Sequence, residues 1–167
     1  AAIVGAPACD RNPEAWAINY EAVRNLVPKL EEGQQLLYPC SNSGYGVGGK
    51  SYCTENSPMN PITLYGRSKV SAEQIVLSRK NSISFRFATL FGVSPRMRLD
   101  LLVNDFCFRA MRDKFIVLFE AKFKRNYLHV KDAASVFLWA IDHFNAMRGK
   151  PYNVGLEDAN LTKWELC

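Results

Sequence analysis

The amino-acid sequence predicts an α/β fold, in which helices cover a parallel β-sheet. Apolar runs of strand length alternate with segments of helical period, which is the pattern of strands joined by crossover helices. The strand-like runs at residues 36–41 and 82–88 flank one such helical segment. Hydrophobic residues make up 48% of the 167 residues, which is enough to bury a core between a sheet and its helices.

The first elements can be predicted in order along the chain. Residues 1–4 predict the end of a strand, and residues 14–27 predict a helix that has an apolar face and ends before Pro28. Residues 36–41 follow as a buried strand. The next stretch, residues 42–60, is polar, glycine-rich and too long for a simple connection, so we expect it to form a loop of an active site.

The alternation of helices and strands continues after this loop. Pro61 suits the first position of a helix and Asn60 its cap, which predicts a helix over residues 61–79 and then the strand at residues 82–88. Beyond Gly92 the character of the sequence changes. The pattern there predicts, in order, a helix at residues 100–112, strands at residues 115–119 and 127–130, and helices at residues 133–144 and 161–167.

Composition limits the classes of function. The 21 basic and 16 acidic residues favour an anionic ligand and equally fit a solvated basic face, and the scattered Lys and Arg residues indicate no nucleic-acid partner. The five cysteines form no C-x-x-C pair, so we expect neither a metal site nor a disulfide framework, and we expect a cytoplasmic location. No apolar run approaches the ~20 residues of a membrane span, so we expect no membrane partner.

Five short motifs occur in a characteristic order: PCSNSGYG at 39–46, YGRSK at 65–69, RFATLFG at 86–92, RNYLHVKD at 125–132 and YNVG at 152–155. Their order and spacing resemble the epimerase/dehydratase branch of the extended short-chain dehydrogenase/reductase family, in particular nucleotide-sugar epimerases of the UDP-glucose 4-epimerase kind. The resemblance implies an NAD(P)-binding Rossmann fold with a doubly wound parallel sheet. Residues 1–92 would be the C-terminal part of the NAD-binding domain. Residues 93–167 would be mainly a smaller mixed α/β region for the nucleotide-sugar substrate, with strands and helices that return to the main body.

A candidate catalytic set comprises Ser41, Tyr65 and Lys69. Tyr65 and Lys69 are four residues apart near a helix start, so their side chains share one face. A free tyrosine has a pKa near ~10, and an adjacent ammonium favours the phenolate that a base at neutral pH requires. Ser41 follows a buried strand, at the sheet edge where open α/β folds bind ligands, and its hydroxyl would donate to the reacting sugar oxygen.

The resemblance also implies contacts with NAD and with the sugar donor. The expected cofactor-binding residues are Ala1, Ala2, Asn19, Tyr65 and Lys69, and the expected substrate-binding residues are Ser41, Ser43, Thr89, Arg96, Arg98 and Arg125. Arg96 and Arg98 fit a solvated basic loop equally well, and Ser43 fits a residue that satisfies loop backbone.

The residues after Ser41 distinguish between reactions of this family. Asn42 and Ser43 occupy the places where related sugar dehydratases carry an acid pair, which disfavours dehydration. The sequence therefore favours epimerisation by transient oxidation to a keto sugar and return of the hydride. A nucleotide-sugar dehydratase or reductase of the same family is an alternative, and a non-catalytic dinucleotide-binding scaffold or sensor is an alternative of another class.

The glycine-rich G-x-x-G-x-x-G turn of the family is not found in these 167 residues. Gly44, Gly46, Gly48 and Gly49 follow the wrong strand and precede no immediate helix, so they do not form the cradle for the cofactor phosphates. We therefore expect a fragment that lacks at least two βαβ units and has no useful affinity for NAD by itself. The full-length protein is expected to be a homodimer that pairs through the helices at residues 14–27 and 61–79.

Overall fold

The structure, a computed structural model, describes residues 2–47 and 52–167. Ala1, one of the expected cofactor contacts, and residues 48–51 of the expected active-site loop lie outside the described residues. The chain forms two compact units. The first contains the chain up to Arg86 together with Asp142–Asn153, and the second contains Phe87–Ile141 together with Val154–Cys167.

Helices and strands alternate along the chain. In order, the elements are α1 (Ala6–Asp10), a π-helical turn (Ala17–Glu21), α2 (Ala22–Leu26), a 3-10 turn (Val27–Lys29), β1 (Leu36–Ser41), a 3-10 turn (Asn42–Tyr45), α3 (Leu64–Leu77), β2 (Ser82–Phe87), β3 (Thr89–Phe91), α4 (Leu102–Asp113), β4 (Lys124–His129), α5 (Val130–Asp142), α6 (Phe144–Met147), β5 (Lys150–Val154), β6 (Asn160–Thr162) and α7 (Lys163–Leu166).

The sheet of the first unit has the order β1-β2-β5. At the strand starts, the Leu36 amide donates to the Asn81 carbonyl and the Gly149 amide donates to the Ser82 carbonyl, so the three strands run parallel. Every residue of β2 is buried, as expected for the middle strand of a parallel sheet. The predicted α/β class with a parallel sheet is therefore confirmed.

Helix α3 packs against β1 and forms the core of the first unit with it. Tyr38 and Cys40 from β1 and Ala72 and Val76 from α3 are buried together with Val27. Burial of such side chains is the main favourable term for this layer, at about 1.5–3 kcal/mol for each large apolar side chain. The packing fixes the C-terminal end of β1 beside the first turns of α3.

The start of α3 differs from the prediction. The helix begins at Leu64, and the Thr63 hydroxyl caps it by accepting a hydrogen bond from the Gly66 amide at 3.0 Å. The prediction that Asn60 caps a helix starting at Pro61 was wrong. Thr63 has the extended backbone and the side-chain oxygen that a cap requires, so the helix starts one turn later.

The expected strand at residues 1–4 is not a strand in its described part, residues 2–4. The Ile3 amide donates to Asn19 Oδ1 at 2.7 Å, and Asn19 Nδ2 donates to the Ile3 carbonyl at 2.9 Å. A side-chain amide thus satisfies the backbone groups that a neighbouring strand would otherwise pair. The predicted helix at residues 14–27 is present, with a π-helical turn, Ala17–Glu21, around Asn19.

The second unit has a separate sheet with the order β3-β4-β6. Strand β3 runs parallel to β4, with Thr89 opposite Tyr127, and β6 runs antiparallel to β4, with Leu161 opposite Arg125. The predicted helix at residues 161–167 was wrong in its first two residues, which belong to β6, because the Thr162 and Glu165 capping box starts the helix at Lys163.

The predicted strand at residues 115–119 was also wrong. Phe115, Val117 and Phe119 are exposed, and among the described strands none pairs with this segment. Strand propensity reflects packing on a pleated surface, so apolar residues without a neighbouring strand do not form one. In the described part of the chain, no helix has the length and apolar character needed to cross a membrane.

Candidate functional site

Ser41 lies at the C-terminal end of β1, where the strand passes into the turn Asn42–Tyr45. Its Oγ accepts hydrogen bonds from the Ser43 amide at 3.2 Å and from Ser43 Oγ at 2.9 Å. The Ser41 O–H is used in neither bond. The turn therefore joins the two serines and leaves the half-buried Ser41 hydroxyl able to donate to a bound oxygen atom.

This turn is in close contact with the first turn of α3. A Cβ atom added to Gly66 would lie 3.1 Å from the Ser43 carbonyl oxygen, and one added to Gly44 would lie 2.8 Å from Val70 Cγ2. A side chain at Gly44 would force its neighbours to move, and one at Gly66 would make a contact tighter than most real Cβ contacts, so both positions favour glycine. Tyr65 precedes Gly66 directly, so its backbone lies beside the turn that carries Ser41 and Ser43.

Lys69 lies one helical turn after Tyr65 and is buried, with 5% of its surface exposed. Its Nζ lies 4.1 Å from the centre of the Tyr38 ring on β1. Burial lowers the pKa of Lys69, whereas the negative forms of Cys40 and Glu73 oppose this effect. Burial raises the pKa of Tyr38, with a smaller contribution from Tyr65. The ring of Tyr38 therefore lies close to Lys69, and Tyr38 is near enough to Tyr65 for the two to interact electrostatically.

A buried polar network connects the loop after Ser41 to the sheet. Arg86 on β2 donates to Glu73 Oε1 from Nη2 at 2.6 Å and to the Tyr45 hydroxyl from Nη1 at 2.7 Å. The Tyr45 hydroxyl donates to Asn153 Oδ1 on β5 at 2.6 Å. Arg86 Nη1 also donates to the Glu55 carbonyl at 3.0 Å. This network was not predicted from the sequence, although Arg86 is the first residue of the motif at 86–92 and Glu73 follows Lys69 by one helical turn.

Asn19 contributes to this region through the backbone of residues 2–4. Its side chain is buried and bonds to both backbone groups of Ile3, and its Nδ2 also lies 3.3 Å from Ser68 Oγ on α3. The segment that contains Ala2 is thus held beside the residue that precedes Lys69. Asn19 therefore holds this segment in place through hydrogen bonds, and only 2% of its own surface is exposed to solvent.

The remaining predicted substrate-binding residues belong to the second unit. Thr89 lies on β3, and Arg125 is exposed on β4. Arg96 is exposed, whereas Arg98 pairs with Asp100 at 2.6 Å and lowers the pKa of that carboxyl group. Asn104, which the sequence analysis missed, accepts a hydrogen bond from the Gly92 amide and donates to the Arg98 carbonyl.

Several known proteins are similar to this chain. Residues 1–155 match the model of the NAD dependent epimerase/dehydratase family. The uncharacterized UDP-glucose epimerase YtcB of Bacillus subtilis (strain 168) is 24% identical over 147 residues, which cover 83% of this chain and 43% of that protein.

Solved structures of related enzymes have the same fold. DesIV, a dTDP-glucose 4,6-dehydratase from Streptomyces venezuelae solved with NAD and TYD bound, has a TM-score of 0.85 at 17% identity, over 99% of this chain and 53% of its own. UDP-glucuronic acid 4-epimerase from Bacillus cereus, solved with UDP-glucuronic acid and NAD, has a TM-score of 0.79 at 19% identity, over 92% of this chain and 51% of its own.

The family model identifies the family, and the solved structures identify the fold. The chain spans about half the length of these relatives. At less than 25% identity the solved structures establish the fold alone, which is the NAD-binding Rossmann fold predicted from the motifs. Since the family model covers nearly the whole sequence, from residue 1 to residue 155, this chain belongs to the NAD dependent epimerase/dehydratase family.

Proposed function

We propose that the full-length protein carrying this chain is an NAD-dependent epimerase of a nucleotide-activated sugar. The observation that supports the proposal is the close contact between the turn after Ser41 and the first turn of α3, the helix that carries Tyr65 and Lys69. The relatives named as UDP-glucose epimerase and UDP-glucuronic acid 4-epimerase support this reaction class.

Each member of the catalytic set has a distinct role in this proposal. Tyr65 accepts the proton of the sugar hydroxyl that is oxidised, and it returns the proton when the hydroxyl is restored. Lys69 favours the phenolate of Tyr65 through its positive charge. Ser41 donates a hydrogen bond to the same sugar oxygen and holds it in place.

The residues of the first unit fit NAD as the cofactor. Asn19 holds the segment with Ala2 beside α3, and Lys69 follows Ser68 on that helix, so the backbone near Ala1 and Ala2 and the side chains of Tyr65 and Lys69 would hold the cofactor. When bound, NAD supplies the acceptor and then the donor of the hydride.

Two features near Ser41 favour epimerisation over dehydration: the residues directly after it are not acids, and the carboxylate of Glu73 is already paired. Asn42 and Ser43 directly follow the serine, and neither is an acid. The buried carboxylate of Glu73 accepts three hydrogen bonds from Arg86, two from Nε and one from Nη2. An elimination of water needs a free acid to protonate the leaving hydroxyl. Oxidation and reduction of a hydroxyl group need only the base and the donor that we assign here.

The nucleotide diphosphate of the substrate is assigned to the second unit. Arg125 and Arg96 are exposed, and a planar guanidinium suits a phosphate group. Arg98 contributes less to this proposal, because its guanidinium already pairs with Asp100. Ser43 and Thr89 are kept as further proposed contacts of the sugar and phosphate.

The test uses the full-length protein with NAD and a panel of UDP- and dTDP-sugars, with the products separated by chromatography and identified by NMR. We expect a sugar inverted at one carbon, with no loss of water. Tyr65→Phe should lower kcat by about 10²–10⁴-fold, because it removes the acid–base group. Arg109→Gln is the control, since Arg109 lies on α4 in the second unit and forms a partly exposed ion pair with Asp105.

Two outcomes would contradict this proposal. A keto-deoxy product would indicate a dehydratase. Binding of NAD without turnover of any sugar would indicate a scaffold or sensor.

A further inference from the structure

The ammonium group of Lys69 lies in an unusual environment. The residue is 5% exposed, and among residues 2–47 and 52–167 no carboxylate forms an ion pair with it at 4.0 Å or less. A buried charge without a partner is costly, so such a group normally loses its charge or finds another source of stabilisation.

The neighbouring titratable groups give little negative charge. Cys40 faces Lys69 from β1, and burial together with Glu73 raises the pKa of its thiol, so the thiol is neutral. Glu73 lies on the same helix as Lys69, and its carboxylate is shared with Arg86. Tyr38 is neutral as well, because burial, Cys40, Tyr65 and Glu73 all raise its pKa. None of these groups acts as a full counterion.

The face of the Tyr38 ring is the group in direct contact with the ammonium. Lys69 Nζ lies 4.1 Å from the ring centre, well within the range of a cation–π interaction. Tyr38 is 7% exposed and packs in the core between β1 and α3, which fixes its ring. Its hydroxyl is buried without a hydrogen-bond partner among the described residues, so the ring and not the hydroxyl explains why an aromatic residue stands here.

We propose that Tyr38 is a positioning residue whose ring face holds the Lys69 ammonium charged and in place beside Tyr65. The interaction is strengthened by burial, because water does not compete for the cation. The role in catalysis rests on the proposed function, since it requires that the charge of Lys69 activates Tyr65. The contact between the ring and the ammonium does not depend on any reaction.

The direct test is the pKa of Lys69 in the 167-residue chain itself. The chain is labelled with 13C-lysine, the Cε shifts are followed by NMR from pH 6 upwards, and the Lys69→Arg variant identifies the signal. Tyr38→Leu should lower the pKa of Lys69 by about one unit, because it removes the ring but keeps an apolar side chain. Tyr38→Phe is the matched control, and it should leave this pKa unchanged because the ring face remains. Equal pKa values in the Leu and Phe variants would overturn the inference.

A second measurement needs no substitution in the core. In the unaltered chain, the Hε resonances of Lys69 should be shifted upfield by the ring current of Tyr38, because the ammonium end lies over the ring face. Unshifted Hε resonances would overturn the inference even if Tyr38→Leu failed to fold.

The same variants separate this inference from the proposed function. In the full-length enzyme, kcat is measured as a function of pH. Tyr38→Leu should lower the apparent pKa of the alkaline limb of this profile by the same amount as it lowers the pKa of Lys69. A lowered lysine pKa with an unchanged limb would contradict the proposed catalytic role of Lys69, and it would support the contact with Tyr38.

Discussion

Arg86 and Glu73 form a charged pair that is almost completely buried, with side chains 7% and 4% exposed. Such a pair often contributes little net stability, because both ions lose their hydration. Here Arg86 also donates to Tyr45 and to the Glu55 carbonyl, so it connects the loop after Ser41 to the sheet. The pair is therefore best understood as a fixed support of the loop.

This role predicts a large cost for removing one partner. Arg86→Met should lower the free energy of unfolding by about 3–5 kcal/mol, because Glu73 would remain as a buried and unpaired charge. Arg109→Met is the control, since the Arg109–Asp105 pair is partly exposed and should contribute about 0.5 kcal/mol or less. Urea unfolding followed by circular dichroism measures both values. Equal effects of the two substitutions would contradict the supporting role of the buried pair.

Motif spacing in the sequence identified Ser41, Tyr65 and Lys69, because a helical period and a strand end relate nearby residues. The same reasoning could not find the partners that surround them. Tyr38 meets Lys69 across 31 positions of sequence, and Arg86 meets Tyr45 across 41. No local pattern encodes such contacts, since they depend on how α3 packs on the sheet. Whether Ser41 and the Tyr65 hydroxyl converge on one substrate oxygen stays a prediction.

At the level of elements, the strand at residues 36–41 was predicted with its bounds, because an apolar run of five residues followed by a serine and a glycine-rich stretch is typical of a buried parallel strand and its end. The segment at 115–119 is also apolar, but no strand in the described part of the chain pairs with it, and it remains irregular. Strand β5 was not predicted as a strand, although its last three residues, Tyr152 to Val154, belong to the YNVG motif. Neighbours in the sheet, rather than propensity, decide these cases.

The start of α3 gives a prediction at the same level. Thr63→Ala should lower the free energy of unfolding by about 1 kcal/mol, because it removes the hydroxyl that accepts from the Gly66 amide. Asn60→Ala, the substitution at the position favoured by sequence alone, should change stability by less than about 0.5 kcal/mol. Denaturant titration of the two variants compares them directly. A larger effect at Asn60 than at Thr63 would show that the helix starts one turn earlier.

On the scale of the whole molecule, the chain has two units and about half the length of its relatives. The proposed catalytic residues Ser41, Tyr65 and Lys69 all lie in the first unit, and the proposed phosphate contacts Arg96 and Arg125 lie in the second. In the proposed reaction, residues of the first unit act on the cofactor and the sugar, and residues of the second unit bind the nucleotide diphosphate.

The quaternary structure of the whole molecule is also predicted: we expect a homodimer that pairs through the helices at residues 14–27 and 61–79. Tyr20 packs against the core and lies against Trp16 in a tilted arrangement with ring centres 5.0 Å apart, so part of its surface is already covered. Leu26 offers more, since it is 50% exposed on α2. Pairing two copies through these helices would bury this side chain in a four-helix interface.

We expect the full-length protein to sediment as a dimer at micromolar concentration. Leu26→Glu should raise the dissociation constant by about tenfold or more, because it places a charge where the proposed interface would bury an exposed leucine. Leu138→Glu is the matched control, since Leu138 is 66% exposed on α5, outside both helices. A monomer at micromolar concentration would contradict the dimer, and equal dissociation by both variants would contradict the assignment of the interface to these helices.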